Sequence, residues 1–217
     1  MSNNASKYSA EDEQTSKVSA RSKSVLLYSA AFLLAELMML FILKANHFYP
    51  FGTKSMLIMD MRDQNVEFLA SLRSMIHGDN SLFFSWARSM GGNYMGVFAF
   101  YISSPLSFLT LLFPVSKMPV AIEIITVLKI GLCSLTFVIY ANYLRRKYNG
   151  QRYFALLLPA IGYAFMSYTM VYSLSIMWLD GVIFLPLVLL GAEKILDGKR
   201  GICFIICYAL LLSLIHI

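Results

Sequence analysis

Six apolar blocks, cut apart by short charged connections, limit what this chain can fold into: residues 24–43, 95–113, 118–144, 153–172, 181–196 and 201–217. A helix crossing a bilayer takes about 20 apolar residues. Hydrophobic residues make up 58% of the chain against 14% charged, and the mean hydropathy is +0.64, more than a soluble domain of this size requires. The chain therefore reads as an all-α polytopic membrane protein whose first partner is the lipid bilayer. A net charge of +6 could signal nucleic acid. The basic residues, however, sit between apolar blocks and not on one amphipathic surface, so they read as topology signals, and no nucleic-acid partner is expected. Cys133, Cys203 and Cys207 lie inside apolar blocks as small buried hydrophobes, with no disulfide framework or metal site implied.

Residues 1–23 are polar and low in aromatics, and read as a disordered tail. The first span, 24–43, is too long for a signal-peptide core and has no cleavage site after it. Lys17, Arg21 and Lys23 precede it and place the N-terminus in the cytoplasm. A long mixed segment follows, and the topology turns on block 95–113. Pro105 in "YISSPLSF" removes a helix hydrogen bond and turns Ser104 away from helix, which favours an interfacial or re-entrant element in an outer loop, 44–118, over the alternative of a true span. The remaining spans are then 119–142, 154–172, 181–196 and 201–217, five in all. With that topology the tail's four basic residues share the inner side with Arg145, Arg146, Lys147, Arg152, Lys194, Lys199 and Arg200, eleven of the chain's 18 Lys and Arg. Asp60, in "LIMDMRDQN", and Asp180, in "SIMWLDG", then face the same outer compartment.

Residues 50–114 carry Pro50-Phe51-Gly52, Asp60 four residues before Gln64, Gly78 followed by Phe83-Phe84-Ser85-Trp86, Gly92-Asn93, and an aromatic run ending in Ser104-Pro105-Leu106. A second block carries Trp178-Leu179-Asp180, Pro186-Leu187 and Gly191, with Lys129 in "VLKIGL" between them. In order and spacing these motifs resemble the start of a bacterial YfhO-type membrane protein, over most of residues 25–200. The resemblance implies a GT-C-like helical bundle, in which an acidic residue of the first outer loop serves lipid-linked glycosyl transfer. It also implies a polyprenyl-phosphate-linked sugar as donor, a cell-surface polymer such as teichoic acid as acceptor, and a bacterial plasma membrane location. Members of that family are several times longer, so this chain corresponds to an N-terminal part, expected to be inactive by itself. The last six residues, "LSLIHI", back-translate without strain to CTG TCT CTT ATA CAC ATC, which matches a transposase adaptor; the expectation is a reading frame that runs into adaptor while the natural protein continues, with a natural apolar helix end as the alternative.

Such a transfer needs a group that deprotonates or orients the acceptor hydroxyl, and positive charge where the donor phosphate leaves. Asp60 and Asp180 are the candidate catalytic carboxylates. Each could equally cap a helix, Asp60 ahead of Val66, Leu69, Leu72 and Ile76 at helical spacing, Asp180 beside the interfacial Trp178. Arg62, Arg88 and Lys129 are the candidate phosphate ligands, with a solvated loop charge as the alternative for the two arginines. His77 reads as a loop residue, and Gly91-Gly92-Asn93 as a turn or a weak phosphate loop. No cofactor is implied beyond a divalent metal that carboxylates could hold. Glu36, Glu123 and Lys129 lie inside apolar blocks, where charge is costly and marks function or an interhelical pair. Lys129 is placed to reach a lipid phosphate or a carboxylate of another span, Glu36 being one candidate. The competing functions are a transporter or flippase of a lipid-linked precursor, expected to show broken helices, and a non-catalytic scaffold.

Overall fold

In the computed structural model, residues 2–78, 81–86 and 90–215 are described, with side chains described for 21–78, 81–86 and 90–212. The protein is 74% helical with almost no strand, as an all-α membrane protein should be. Helix α1 (Ser2–Ala45) runs continuously from the tail into the first apolar block. The tail read as disordered from its composition is drawn as part of this helix. The tail holds Ala, Glu, Gln, Lys and Ser and neither Pro nor Gly, so nothing in it stops a helix extended from the block beyond. Leu27, Ala31, Ala35, Met39 and Leu43 form the buried stripe of α1, while Leu33, Leu34, Leu37 and Phe41 on its other faces are exposed. A helix apolar on all sides with one side packed is what a lipid-facing span requires.

Helix α4 (Met118–Lys147) is the central post. It begins with Pro119 in its first turn, where a missing N–H costs nothing, and ends on Arg145, Arg146 and Lys147, whose charges suit a helix C-terminus. Three core clusters climb it: Met118, Ala121, Ile122 and Ile125 pack against the segment 57–113, Ile130 and Cys133 against α1 and the later helices, and Val138 against Leu27, Ala31 and Ala160. Helices α1 and α4 are antiparallel: Arg146 donates to the Ser24 hydroxyl, Asn142 Nδ2 to Tyr28 Oη at 2.8 Å, and Ser134 Oγ to the Ala31 carbonyl at 2.9 Å.

Between these helices lie α2 (Val66–Ile76), entered through a π-helical turn Met61–Asn65, then a two-residue strand pair, β1 (Phe84–Ser85) and β2 (Gly92–Asn93). Block 95–113 is not one helix. The short α3 (Met95–Val97) widens into a π-helical turn Phe98–Ile102, and a 3-10 helix, Pro105–Leu112, leaves it at 95°. The break falls at Ser104, whose backbone is extended (φ −58°, ψ 131°), as the proline after it demands. Arg73 of α2 clamps the far end of the bend by donating to the carbonyls of Leu111 and Phe113 at 2.8 and 3.0 Å.

After α4 come α5 (Leu157–Ala164), α6 (Ser167–Tyr172), α7 (Trp178–Leu196) and α8 (Ile202–Ile215). The block expected to span at 154–172 is broken, since Met166 is extended between α5 and α6. Ser167 and Thr169 follow the break, residue types that favour caps over helix interiors, and Thr169 Oγ1 donates to the Tyr163 carbonyl at 3.4 Å. Pro186 sits inside α7 and cannot bond the Val182 carbonyl four residues earlier. Tyr163 Oη of α5 donates to that carbonyl at 2.7 Å instead. A Cβ at Gly191 would lie 2.6 Å from the backbone of Phe204, so glycine is what lets α8 fold back onto α7.

Among the described residues, two helices are long and apolar enough to cross a membrane, within Arg21–Ala45 and Val115–Lys147, and the bent pair 95–112 would make a third if counted as one span. The other expected spans are a broken helix, a 19-residue helix carrying Asp180, Glu193 and Lys194, and a 14-residue helix, α8. The last two residues of "LSLIHI" lie outside the described residues.

Candidate functional site

Lys129 is 1% exposed and Asp180 2%. At that depth neither charge is tolerable alone, and each finds the other. Lys129 Nζ lies 2.7 Å from Asp180 Oδ2 and donates also to the Ile176 carbonyl at 2.9 Å. The remaining carboxylate oxygen, Oδ1, accepts from Ser104 Oγ at 3.1 Å. Three separate parts of the chain thus meet on one carboxylate: mid-α4, the first turn of α7, and the corner of the bent segment. Lys129 therefore meets a carboxylate of another helix, and that carboxylate is Asp180. Glu36 points elsewhere: its Oε1 is shielded from water with no hydrogen-bond partner among the described residues and packs where a Cβ on Gly131 would stand 2.9 Å away. Glu123, a turn and a half from Lys129, accepts the backbone N–H of Met56.

The same bent segment reaches Asp60 from its other side. Tyr101 Oη donates to Gln64 Oε1 at 2.8 Å, and Gln64 Nε2 donates to Asp60 Oδ1 at 3.3 Å. Tyr101 also packs on Phe68 and Phe100, and Phe100 meets Trp178 edge-on. The two π-helical turns, 61–65 and 98–102, therefore face each other through the Tyr101–Gln64 bond. Such wide turns are rare and concentrate at functional sites. Asp60 is exposed, and its second oxygen meets no donor among the described residues. Neither aspartate caps a helix with its side chain: α7 is preceded by Met177, and Asp60, although it precedes the π turn, makes no capping bond. Asp60 and Asp180 do not touch; residues 101–104 join them.

Arg62 Nε is bonded to Asp63 Oδ1 at 2.8 Å, both exposed, and this neighbour raises the arginine pKa further above its ordinary value. Arg88 lies outside the described residues. His77 ends α2, its Nδ1 2.8 Å from the Arg73 carbonyl. Gly91 takes φ +98°, and Asn93 Oδ1 accepts the Met95 N–H at 2.9 Å, so Gly91-Gly92-Asn93 is a turn feeding α3. Among the described residues no group of three or more His, Cys, Asp or Glu is placed to hold a metal ion. The three cysteines are free.

Beside Asp180 opens an apolar cleft of about 430 Å³ lined by Tyr163, Met166, Tyr168, Trp178, Gly181, Val182, Leu185 and Leu211. It lies where α5 breaks and α7 begins. Ser104, Tyr101 and Arg73 are site residues that sequence reasoning did not single out. Ser104 was legible only as the residue before Pro105, and its carboxylate partner lies 76 positions away.

Residues 30–215 match a family model described as bacterial membrane protein YfhO. No curated protein and no solved structure matches the chain.

Proposed function

This chain belongs to the YfhO family of bacterial membrane proteins, and from that premise we propose that it forms part of a GT-C-like glycosyltransferase of the plasma membrane. The enzyme moves a sugar from a polyprenyl-phosphate donor to a cell-surface polymer such as teichoic acid. The observation that carries this reading is the bent segment 98–105, which ties an exposed carboxylate, Asp60, to a buried ion pair beside an apolar cleft.

The two aspartates then divide the work. Asp60, with one oxygen held through Gln64 and the other open, is the base: the acceptor hydroxyl gives it a proton while its oxygen attacks the anomeric carbon. The sugar–phosphate bond breaks, and polyprenyl phosphate leaves with the electron pair. Asp180 has both oxygens engaged inside the protein, and it positions the segment that carries Tyr101. Lys129 is spent on Asp180, so the donor phosphate falls to cations of the outer segment, Arg88 and the exposed Arg62 being the candidates. The cleft along Trp178, Gly181 and Leu185 gives the polyprenyl chain an apolar bed.

The outward orientation of this end is supported by the antiparallel pairing of α1 with α4, which requires no net crossing between them. It is supported also by the basic residues gathered at the opposite end, Lys23 and Arg145 to Lys147. In a background whose cysteines are replaced by alanine, Lys54→Cys should react with an impermeant maleimide on intact cells and Arg200→Cys only after permeabilisation. The reverse pattern removes the proposed site from the outer face.

The catalytic reading is tested with Asp60→Asn in the complete coding sequence. Losing a general base should lower transfer roughly 10²–10⁴-fold with normal membrane insertion. The break between α5 and α6 favours a second reading, a transporter of lipid-linked precursor, since broken helices line transport sites. Unchanged polymer glycosylation with an altered distribution of the lipid carrier would select it.

A further inference from the structure

At the end of the bundle away from Asp60, a polar pocket of about 380 Å³ is lined by Lys23, Arg145, Arg146, Gln151 and Tyr153. Three cations converge there, and among the described residues no carboxylate pairs with any of them. The contrast with the next turn of the surface is sharp, for Lys147 is held by Glu193 and Asp197 at 2.7 and 2.9 Å. Arg145 is fixed in place. Its Nε donates to Asn142 Oδ1 at 3.1 Å, its Nη1 to the Gly150 carbonyl at 3.0 Å, and its guanidinium lies 4.8 Å over the Tyr153 ring. Tyr153 Oη is shielded from water and has no hydrogen-bond partner among the described residues. A buried hydroxyl without a partner costs stability unless something absent from the protein supplies one.

We propose that this pocket binds the phosphodiester of an anionic phospholipid headgroup. The apolar spans of α1 and α4 begin at Arg21 and end at Lys147, which sets the pocket at the lipid–water boundary. The residues flanking it are exposed and apolar: Val25 and Leu26 on α1, Phe154 just before α5 and Leu158 in its first turn, the last 82% exposed. A diester oxygen meets Arg145, Arg146 and Lys23, the Tyr153 hydroxyl donates to the headgroup, and the acyl chains run along Leu26 and Leu158. A free phosphate uses the cations and leaves that apolar flank idle. Basic pockets between helix ends are a recurrent means of holding acidic lipid headgroups.

The test is native mass spectrometry of the chain in neutral detergent with phosphatidylglycerol and phosphatidylcholine supplied in equal amounts. Phosphatidylglycerol should occupy the protein roughly tenfold over phosphatidylcholine, a preference matching about 1.4 kcal/mol. Lys23→Gln should weaken that binding roughly fivefold, and Tyr153→Phe roughly tenfold. Neither Lys23 Nζ nor Tyr153 Oη has a described protein partner, so without lipid Lys23→Gln should keep the parental thermal midpoint and Tyr153→Phe should keep or raise it. The Arg146 side chain bonds only Ser24 among the described residues, so Arg146→Gln gives an independent reading. Equal binding of both lipids, or unchanged binding by all three variants, overturns the proposal. Complete displacement of the lipid by millimolar inorganic phosphate overturns the lipid as the source and leaves a free-anion site.

Discussion

Replacing Lys129 by methionine strands a carboxylate inside the bundle. The ammonium and the carboxylate of Asp180 are 2.7 Å apart, with side chains 1% and 3% exposed. At an effective dielectric of about 20 that separation gives an attraction of roughly 6 kcal/mol, which desolvation of the two ions largely offsets. Removing one partner leaves the other's desolvation uncompensated and costs about 3–5 kcal/mol. Lys129→Met leaves Asp180 with only the Ser104 hydroxyl, and Asp180→Leu leaves Lys129 with only the Ile176 carbonyl. Both single variants should therefore unfold at much lower detergent strength in an SDS titration followed by far-UV circular dichroism and Trp fluorescence. The double variant Lys129→Met/Asp180→Leu has no charge to bury and should recover most of that loss, giving a coupling of about 2 kcal/mol or more. If the double variant costs the sum of the singles to within about 0.5 kcal/mol, the two residues act independently. The idea that one carboxylate gathers α4, α7 and the bent segment then fails.

Ser104→Ala removes the bond to Asp180 Oδ1 and should cost about 1–3 kcal/mol in the same titration, with partial rescue by Ser104→Thr. Tyr163→Phe leaves the Val182 carbonyl, already without its proline partner, unpaired; a loss of about 1–3 kcal/mol is expected, and a Tyr163→Phe/Pro186→Ala double variant, which restores the helix N–H, should regain it. Gly191→Val places a side chain against the Phe204 backbone and should cost about 1–3 kcal/mol or release α8 to protease. At the opposite end, hydrogen bonds from Lys147 and Tyr143 hold the Asp197 carboxyl below its ordinary value of 3.8. A depressed folded pKa means that the stabilisation is fully present above that value and fades as pH falls below it. The parental midpoint should drop in that acid window, and Asp197→Asn should flatten the drop.

What could be read from the residues depended on whether the cause was local. The break in block 95–113 was legible because proline acts on its immediate neighbour, Ser104. Asp60, Asp180 and Lys129 stood out because charge in an apolar chain needs a reason. Which charge met which was not legible. Lys129 sits 51 positions from Asp180, and only the packing of α4 on α7 chooses that partner over Glu36. The break at Met166 carried no Pro or Gly signal, and Ser and Thr at 167 and 169 act there through a capping preference too weak to foresee. The continuation of α1 into the tail was not legible, for the opposite reason. Its composition favours solution, and continuation from a neighbouring helix does not show in composition.

Lys129 and Lys147 are eighteen residues apart on α4, about five full turns and roughly 27 Å. They therefore project from the same stripe, and each grips α7, one at Asp180 and the other at Glu193 and at Asp197, the residue that ends the helix. A helix pair bolted at two such distant levels can neither slide nor roll on itself.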